Sequence, residues 1–180
     1  PLPDVVVERI LDAGRLSGSA SNRQPWTFVI PSSPERLARI AQTVFEPGNI
    51  LGAGLVVAIV VKGKGPVRFD AGRAAQNMLL AAWDQGVGGC PNGMPDRDAA
   101  GEILGAREGE SPAIVLTFGY PAKLRDPSAR TADEWSERAR RRPLEDLVVE
   151  ERLAVGGEGA LARGFGPGHG DHVIRPQSGR

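Results

Sequence analysis

Three short segments of the chain carry groups that could bind a ligand. Residues 19–26 read Ser-Ala-Ser-Asn-Arg-Gln-Pro-Trp, residues 86–93 read Gly-Val-Gly-Gly-Cys-Pro-Asn-Gly, and residues 138–146 read Arg-Ala-Arg-Arg-Arg-Pro-Leu-Glu-Asp. Hydroxyl and amide groups can hydrogen-bond the edge of a planar heterocycle, glycines let backbone approach a ligand, and arginines can grip a phosphate. Taken singly, each segment also fits a plain structural role: a capped turn, a helix end followed by a loop, or a solvated basic face.

Groups for acid–base or nucleophilic catalysis are scarce. His169 and His172 both lie in the Gly-rich C-terminal segment, so the body of the chain has no histidine for a Ser-His-acid triad. No other ligand set accompanies this pair, so we interpret it as part of a solvated tail and predict no metal site. Without a histidine to activate it, Cys90 is predicted to be a packed small side chain. If the chain is an enzyme, a bound cofactor is therefore expected to supply the chemistry.

Composition excludes several classes of protein. The 180 residues include 22 basic and 22 acidic side chains, and this zero net charge argues against a nucleic-acid binder. One cysteine can form neither an internal disulfide nor a Cys-rich zinc site. The longest apolar stretch, residues 55–61, is far short of the ~20 residues of a membrane helix. No signal peptide opens the chain, so we expect a cytoplasmic protein with neither membrane nor nucleic-acid partners.

Hydrophobic periodicity predicts a small sheet with helices packed on it. Residues 55–61 are a continuous apolar run, which predicts a strand buried on both faces, and residues 113–118 predict another buried strand. Residues 69–85 are apolar or small nearly all round, which predicts a helix at the centre of the core. With further helices at 3–16, 34–44 and 96–104 and a strand at 26–30, three strands and about four helices predict an α+β fold.

The length favours one domain, followed by a tail. We place the domain at residues 1–155 and the tail at residues 156–180, because the tail holds 8 of the 24 glycines and both histidines. No internal repeat is evident.

The order and spacing of the three segments resemble the FMN-dependent nitroreductase family. The match covers roughly residues 4–148, and its most specific parts are an Asn-x-Gln-Pro-Trp element and a long Ala-rich helix that ends in Gly-x-Gly-x-Cys. The resemblance implies a nitroreductase-like α+β fold with a small central β-sheet flanked by helices. It also implies a homodimer with two FMN molecules at the subunit boundary, each contacted by both chains.

The resemblance also implies roles for residues in all three segments. One loop would contact the flavin ring from the partner subunit, a backbone segment would lie beside the reactive N5, and an arginine would bind the phosphate. The residues so assigned are Ser19, Asn22 and Gln24 in the loop, Gly88, Gly89 and Cys90 beside N5, and Arg141, with Arg138 and Arg142 as weaker candidates, at the phosphate.

Two departures from the family pattern concern cofactor binding. The Arg-Arg-Ser-x-Arg element that members carry just before the first helix is not in this sequence. Either such an element lies upstream of Pro1, or the phosphate is held only by the C-terminal arginines. Gly18 stands where a proline is common, which would loosen the loop slightly.

The function implied is transfer of a hydride from NADH or NADPH to flavin N5, followed by electron transfer to a second substrate of nitroaromatic or quinone type, in a ping-pong mechanism. One alternative is a non-catalytic flavin-binding or accessory domain of the same fold. Another is a related FMN chemistry such as flavin destruction, dehalogenation or azoline oxidation.

Overall fold

The computed structural model describes residues 1–123 and 126–151. The chain divides into two compact units, Pro1–Leu124 and Arg125–Arg180. The predicted tail at residues 156–180 and its boundary lie outside the described residues, so the division at 155 stays a prediction.

The first unit contains five helices, four strands and one 3₁₀ turn. In chain order they are α1 (Asp4–Arg15), a 3₁₀ turn (Ala20–Asn22), β1 (Trp26–Val29), α2 (Pro34–Ala41), α3 (Pro47–Leu51), β2 (Leu55–Lys62), α4 (Val67–Asp84), β3 (Gly88–Asn92), α5 (Arg97–Leu104) and β4 (Glu110–Gly119). The second unit contains α6 (Ala132–Arg138) between two 3₁₀ turns, Pro127–Ala129 and Leu144–Asp146.

The four strands form one antiparallel sheet in the order β1-β2-β4-β3. Seven of the eight residues of β2 are buried, and successive side chains enter two separate cores. Val57 and Ile59 pack with α1 and α4 on one face, while Val56 and Ala58 pack with α2, α3 and α5 on the other. Helices on both faces explain the unbroken apolar run, and the predicted α+β fold is confirmed.

The sheet has four strands, where the sequence predicted three. Residues 88–92 were expected to be loop, because two glycines and a proline disfavour strands. They pair with β4 at five positions, from Gly88↔Gly119 to Asn92↔Val115. Since β3 is at the sheet edge, Pro91 can lie in it without breaking an interior ladder.

Helix α4 is only partly buried, where the sequence predicted a helix enclosed on all sides. Its small residues and one methionine are buried against the sheet and α1: Ala71, Ala74, Ala75, Met78 and Ala82. The opposite face exposes Phe69 by 68%, Leu80 by 58% and Trp83 by 51% in the single chain. The apolar composition therefore reflects one buried face and one exposed apolar face. Among the described residues, no helix has both the length and the apolarity needed to cross a membrane.

The second unit is organised around Trp135. Thr131 and Glu134 form a reciprocal capping box that starts α6. The indole Nε1 of Trp135 donates to the Pro127 carbonyl at 2.9 Å, and the Arg130 guanidinium lies 4.8 Å from the ring centroid.

Candidate functional site

The loop between α1 and β1 brings together three of the predicted flavin-binding residues. The Ser19 hydroxyl accepts a hydrogen bond from the Gln24 backbone N–H at 2.9 Å. The Gln24 side-chain amide donates to the carbonyl and to the side-chain oxygen of Asn22, each at 3.4 Å. Asn22 and Gln24 are exposed, so their polar groups are available to a ligand.

This loop holds an unusual backbone conformation. Ser21, Asn22 and Gln24 have φ values of 51°, 52° and 49°, in the left-handed region that costs a non-glycine residue roughly 1–2 kcal/mol. Two side chains of α4 anchor the loop. The Ala20 N–H lies 3.2 and 3.1 Å from the two carboxylate oxygens of Asp70, and the Asn77 amide donates to the Ser17 hydroxyl at 2.7 Å.

The second group of predicted residues lies beside a cavity of about 360 Å³ at one end of the sheet. Its walls come from α3, from the start of β3 and from the end of β4. The lining residues include all three predicted ones, Gly88, Gly89 and Cys90, together with Gly48, Asn49, Gly52, Ala53, Thr117, Phe118, Gly119 and Tyr120. No lining side chain is charged. The cavity thus offers backbone, hydroxyl, amide and aromatic groups.

A polar network beneath β3 fixes this wall of the cavity. The Asn92 side chain is 4% exposed, and its amide donates toward the Cys90 carbonyl at 3.0 Å, the Thr117 hydroxyl at 3.1 Å and the Val115 carbonyl at 3.3 Å. Its oxygen accepts from the Asn49 amide at 2.9 Å. The sequence interpretation missed Asn49, Asn92 and Thr117. Of the three, only Thr117 could have been noticed in the sequence, because it is a polar residue within a predicted apolar strand.

The two glycines of β3 differ in what surrounds them. A Cβ at Gly89 would lie 2.5 Å from Cδ2 of Leu79 and 3.0 Å from the Phe118 ring, whereas a Cβ at Gly88 would meet only the Gly119 carbonyl at 3.5 Å. Close packing of α4 on the sheet therefore explains Gly89 without a ligand. The predicted role of both glycines beside a flavin stays a prediction.

Cys90 is exposed, which corrects the prediction that it is a packed side chain. Successive side chains of a strand point to opposite faces, and Gly89 faces α4, so the Cys90 side chain lies on the side of α3. There the Asn49 amide nitrogen lies 3.7 Å from Sγ. The residues described, 1–123 and 126–151, contain no histidine that could activate the thiol.

Loop and cavity lie at opposite ends of the sheet within one chain. The loop leads into β1 at Trp26, which pairs with Val61 at one end of β2. The cavity lies beside Phe118, which pairs with Leu55 at the other end. Six residues of extended strand separate these ends, a distance of ~20 Å. One chain therefore does not bring the two groups to a single small ligand.

The three predicted phosphate-binding arginines belong to the second unit. Arg138 is in the last turn of α6, the Arg141 backbone N–H donates to the Ser136 carbonyl at 3.0 Å, and the Arg142 guanidinium donates to the Asp146 carbonyl. All three are exposed. Their role at a phosphate stays a prediction.

Two carboxyl groups, those of Glu110 and Asp126, have lowered pKa values, and neither residue is among those that line the cavity. The pKa of Glu110 falls below its usual value chiefly because the carboxylate accepts the Arg107 backbone N–H at 3.0 Å. The pKa of Asp126 falls because the carboxylate accepts hydrogen bonds from the hydroxyl and backbone N–H of Ser128.

A larger groove of about 1000 Å³ runs along α1 and β1. Its lining is mainly apolar and includes Val5, Leu16, Trp26 and Phe28. None of the nine predicted cofactor-binding residues lines it, so size alone does not identify the functional site.

Known proteins share sequence and fold with this chain. The model of the nitroreductase family matches residues 1–64 and 67–120. A protein of Archaeoglobus fulgidus with the provisional name NADH dehydrogenase/NAD(P)H nitroreductase is 33% identical over 136 residues, which are 69% of this chain and 78% of that protein.

Solved structures share the fold. A nitroreductase family protein of Clostridium difficile superimposes with a TM-score of 0.70 at 21% identity, over 84% of this chain and 88% of that one. An oxidoreductase described as containing FMN superimposes with a TM-score of 0.67 at 26% identity, over 86% of this chain and 84% of that one. With the family match covering more than half of the sequence, this chain belongs to the nitroreductase family of oxidoreductases.

Proposed function

We propose that the protein is a homodimeric, FMN-dependent oxidoreductase that passes electrons from NADH or NADPH to a small acceptor of nitroaromatic or quinone type, by a ping-pong mechanism. The observation that carries the proposal is the character of the cavity beside β3. Its walls combine glycine backbone, amide, hydroxyl and aromatic groups and no charged side chain. This donor set fits the neutral polar edge of a flat heterocycle and does not suit acid–base catalysis.

When bound, FMN would accept the hydride and pass electrons on at N5. In this proposal the backbone of Gly88, Gly89 and Cys90 lines one side of the ring, and Asn92 holds the Cys90 carbonyl in place. Ser19, Asn22 and Gln24 of the partner chain would contact the ring edge. The arginines 138, 141 and 142 would bind the phosphate.

Two features of the single chain support a dimer. The loop and the cavity lie ~20 Å apart, so a second chain is needed to bring a loop to each cavity. Helix α4 exposes three large apolar side chains, Phe69, Leu80 and Trp83, on the side opposite its buried face, and exposed apolar side chains of this kind fit a protein–protein interface. The names of similar proteins, which refer to NAD(P)H nitroreductase and to FMN, support the chemistry.

Flavin uptake and reduction test the proposal. Purified protein is incubated with FMN, freed of excess cofactor and examined for flavin absorbance. NADH or NADPH is then added without oxygen, and a nitroaromatic or a quinone follows. We expect bound flavin, bleaching by one of the nicotinamides, recovery of colour with the acceptor, and parallel lines in double-reciprocal plots. Failure to take up FMN refutes the proposal. Uptake without NAD(P)H oxidation favours the non-catalytic flavin-binding domain instead.

Sedimentation tests the dimer separately. We expect the wild type to sediment as a dimer and Leu80→Asp to shift toward monomer, because a charge would be buried in the interface. Leu80→Ala should have a smaller effect, since it removes apolar area without adding charge. A wild-type monomer that still binds and reduces FMN would contradict the shared site.

A further inference from the structure

The loop at residues 17–24 needs an external restraint to keep its shape. Three of its residues, Ser21, Asn22 and Gln24, are left-handed non-glycine residues. Such conformations persist only where the surrounding structure imposes them. Two of these three residues are also the ones predicted to contact the flavin, so whatever imposes the conformation affects the presentation of their side chains.

The strongest restraint comes from Asp70 in the first turn of α4. Its side chain is 2% exposed, and both carboxylate oxygens lie within hydrogen-bond distance of the Ala20 N–H, at 3.2 and 3.1 Å. Asp70 forms no ion pair with any residue among those described. A buried carboxylate bonded to a backbone N–H forms a charge-assisted hydrogen bond, which is stronger than a neutral one.

Asp70 acts together with two other polar residues on the same face of α4. Asn77 is seven residues later, two turns along the helix, and its amide donates to the Ser17 hydroxyl at 2.7 Å. Arg73 lies between them, with its guanidinium against Gly18, where a Cβ would come within 2.6 Å of Nη2. These three residues, the polar stripe of α4, contact the loop at positions 17, 18 and 20. The stripe connects the loop to the helix that packs on the central sheet.

We propose that Asp70 is a positioning residue that, through its hydrogen bond to the Ala20 N–H, holds the 17–24 loop in the left-handed conformation that presents Ser19, Asn22 and Gln24 to the flavin. The assignment rests on the proposed function for its last step only. The restraint on the loop concerns the protein without cofactor and can be measured there.

Two measurements on Asp70→Ala test the assignment, with Asp84→Ala as the matched control because Asp84 is an exposed carboxylate on the same helix. Hydrogen exchange of the amides at 19–24 in cofactor-free protein reports the loop, and fluorescence titration with FMN reports binding. For Asp70→Ala we expect loop exchange to rise and FMN affinity to fall by about tenfold or more, the loss typical of a charge-assisted hydrogen bond. For Asp84→Ala we expect neither change.

A glycine substitution separates positioning from general stability. Ser21 is left-handed but has no predicted flavin contact, so Ser21→Gly lowers the cost of the conformation without removing a ligand group. We expect Ser21→Gly to restore FMN affinity in the Asp70→Ala background by more than it raises affinity in the wild type. Equal effects in the two backgrounds would overturn the positioning role.

Three other outcomes of these experiments also bear on the role of Asp70. If Asp70→Ala does not fold, Asp70→Asn keeps one acceptor for the Ala20 N–H and should give smaller changes in the same direction. Unchanged exchange at 19–24 in a folded Asp70 variant overturns the assignment. If the wild type does not bind FMN, the proposed function fails, and the exchange measurement still decides whether Asp70 restrains the loop.

Discussion

Replacement of Asn92 by alanine is expected to loosen β3 and its wall of the cavity. Asn92 is nearly fully buried, and its two amide hydrogens serve three acceptors, namely the Cys90 carbonyl, the Val115 carbonyl and the Thr117 hydroxyl. Its oxygen accepts from Asn49. The side chain therefore contributes the equivalent of two donated bonds and one accepted bond.

The expected loss of stability in Asn92→Ala follows from the number of hydrogen bonds that the substitution removes. A hydrogen bond contributes a net ~1 kcal/mol, so three bonds predict that Asn92→Ala lowers the free energy of unfolding by about 3 kcal/mol. Asn92→Asp should cost at least as much at neutral pH, because it removes both donors and buries a negative charge beside carbonyl oxygens. Asn49→Ala is the matched control. Asn49 is exposed and has one short bond to Asn92, so we expect a loss of about 1 kcal/mol or less.

Urea unfolding at one fixed protein concentration measures these differences, since the stability of a dimer depends on concentration. FMN titration of the same variants shows whether the altered wall affects binding, and we expect weaker binding for Asn92→Ala than for Asn49→Ala. If the free energy of unfolding of Asn92→Ala lay within about 0.5 kcal/mol of the wild-type value, the assumption that each of the three hydrogen bonds contributes ~1 kcal/mol would be refuted. Equal losses for the two variants would refute the view that Asn92 is the centre of the network.

Gly89→Ala should lower the free energy of unfolding by ~1–3 kcal/mol, because its Cβ would overlap Leu79 and crowd the buried ring of Phe118. Gly88→Ala should be nearly neutral, and urea unfolding of the two variants compares them directly. Similar losses in both would show that packing does not distinguish the two positions. The lowered pKa of Glu110 predicts an acid-dependent contribution to stability, present above its unfolded-state value of about 4.5 and lost as the pH falls through the lower folded-state pKa. Glu110→Gln should therefore destabilise the protein at pH 7, and the difference from the wild type should shrink as the pH falls through the folded-state pKa of Glu110. A pH-independent difference would contradict this account of its hydrogen bond to Arg107.

Elements defined by their own side chains could be predicted from the sequence. The apolar runs of β2 and β4 have no polar alternation because both faces of the sheet are covered, and the spacing of apolar residues is enough to define α1. Strand β3 could not be predicted in this way. Its stability comes from pairing with β4 and from the Asn92 network, and neither is visible in the local composition of residues 88–92.

In the candidate site, too, features set by local sequence could be predicted and features set by contacts distant in sequence could not. The loop residues Ser19, Asn22 and Gln24 could be selected because polar groups cluster within six positions, and the resemblance gave them a role. Asp70, which holds the loop, is 50 residues from Ala20 in the sequence, and nothing in the local pattern connects the two. The sequence of α4 is apolar or small on nearly all sides, which predicted burial of the whole helix. It gave no sign that one apolar face would be exposed in the single chain.

The separation of loop and cavity within one chain has a genetic consequence for the proposed dimer. A chain with a defective loop keeps an intact β3 wall, and a chain with a defective β3 wall keeps an intact loop. When two such chains pair, one of the two sites combines both defects and the other combines both intact parts. A mixed dimer of one chain with a defective loop and one chain with a defective β3 wall would then contain one fully intact site of the two, whereas neither homodimer would contain any.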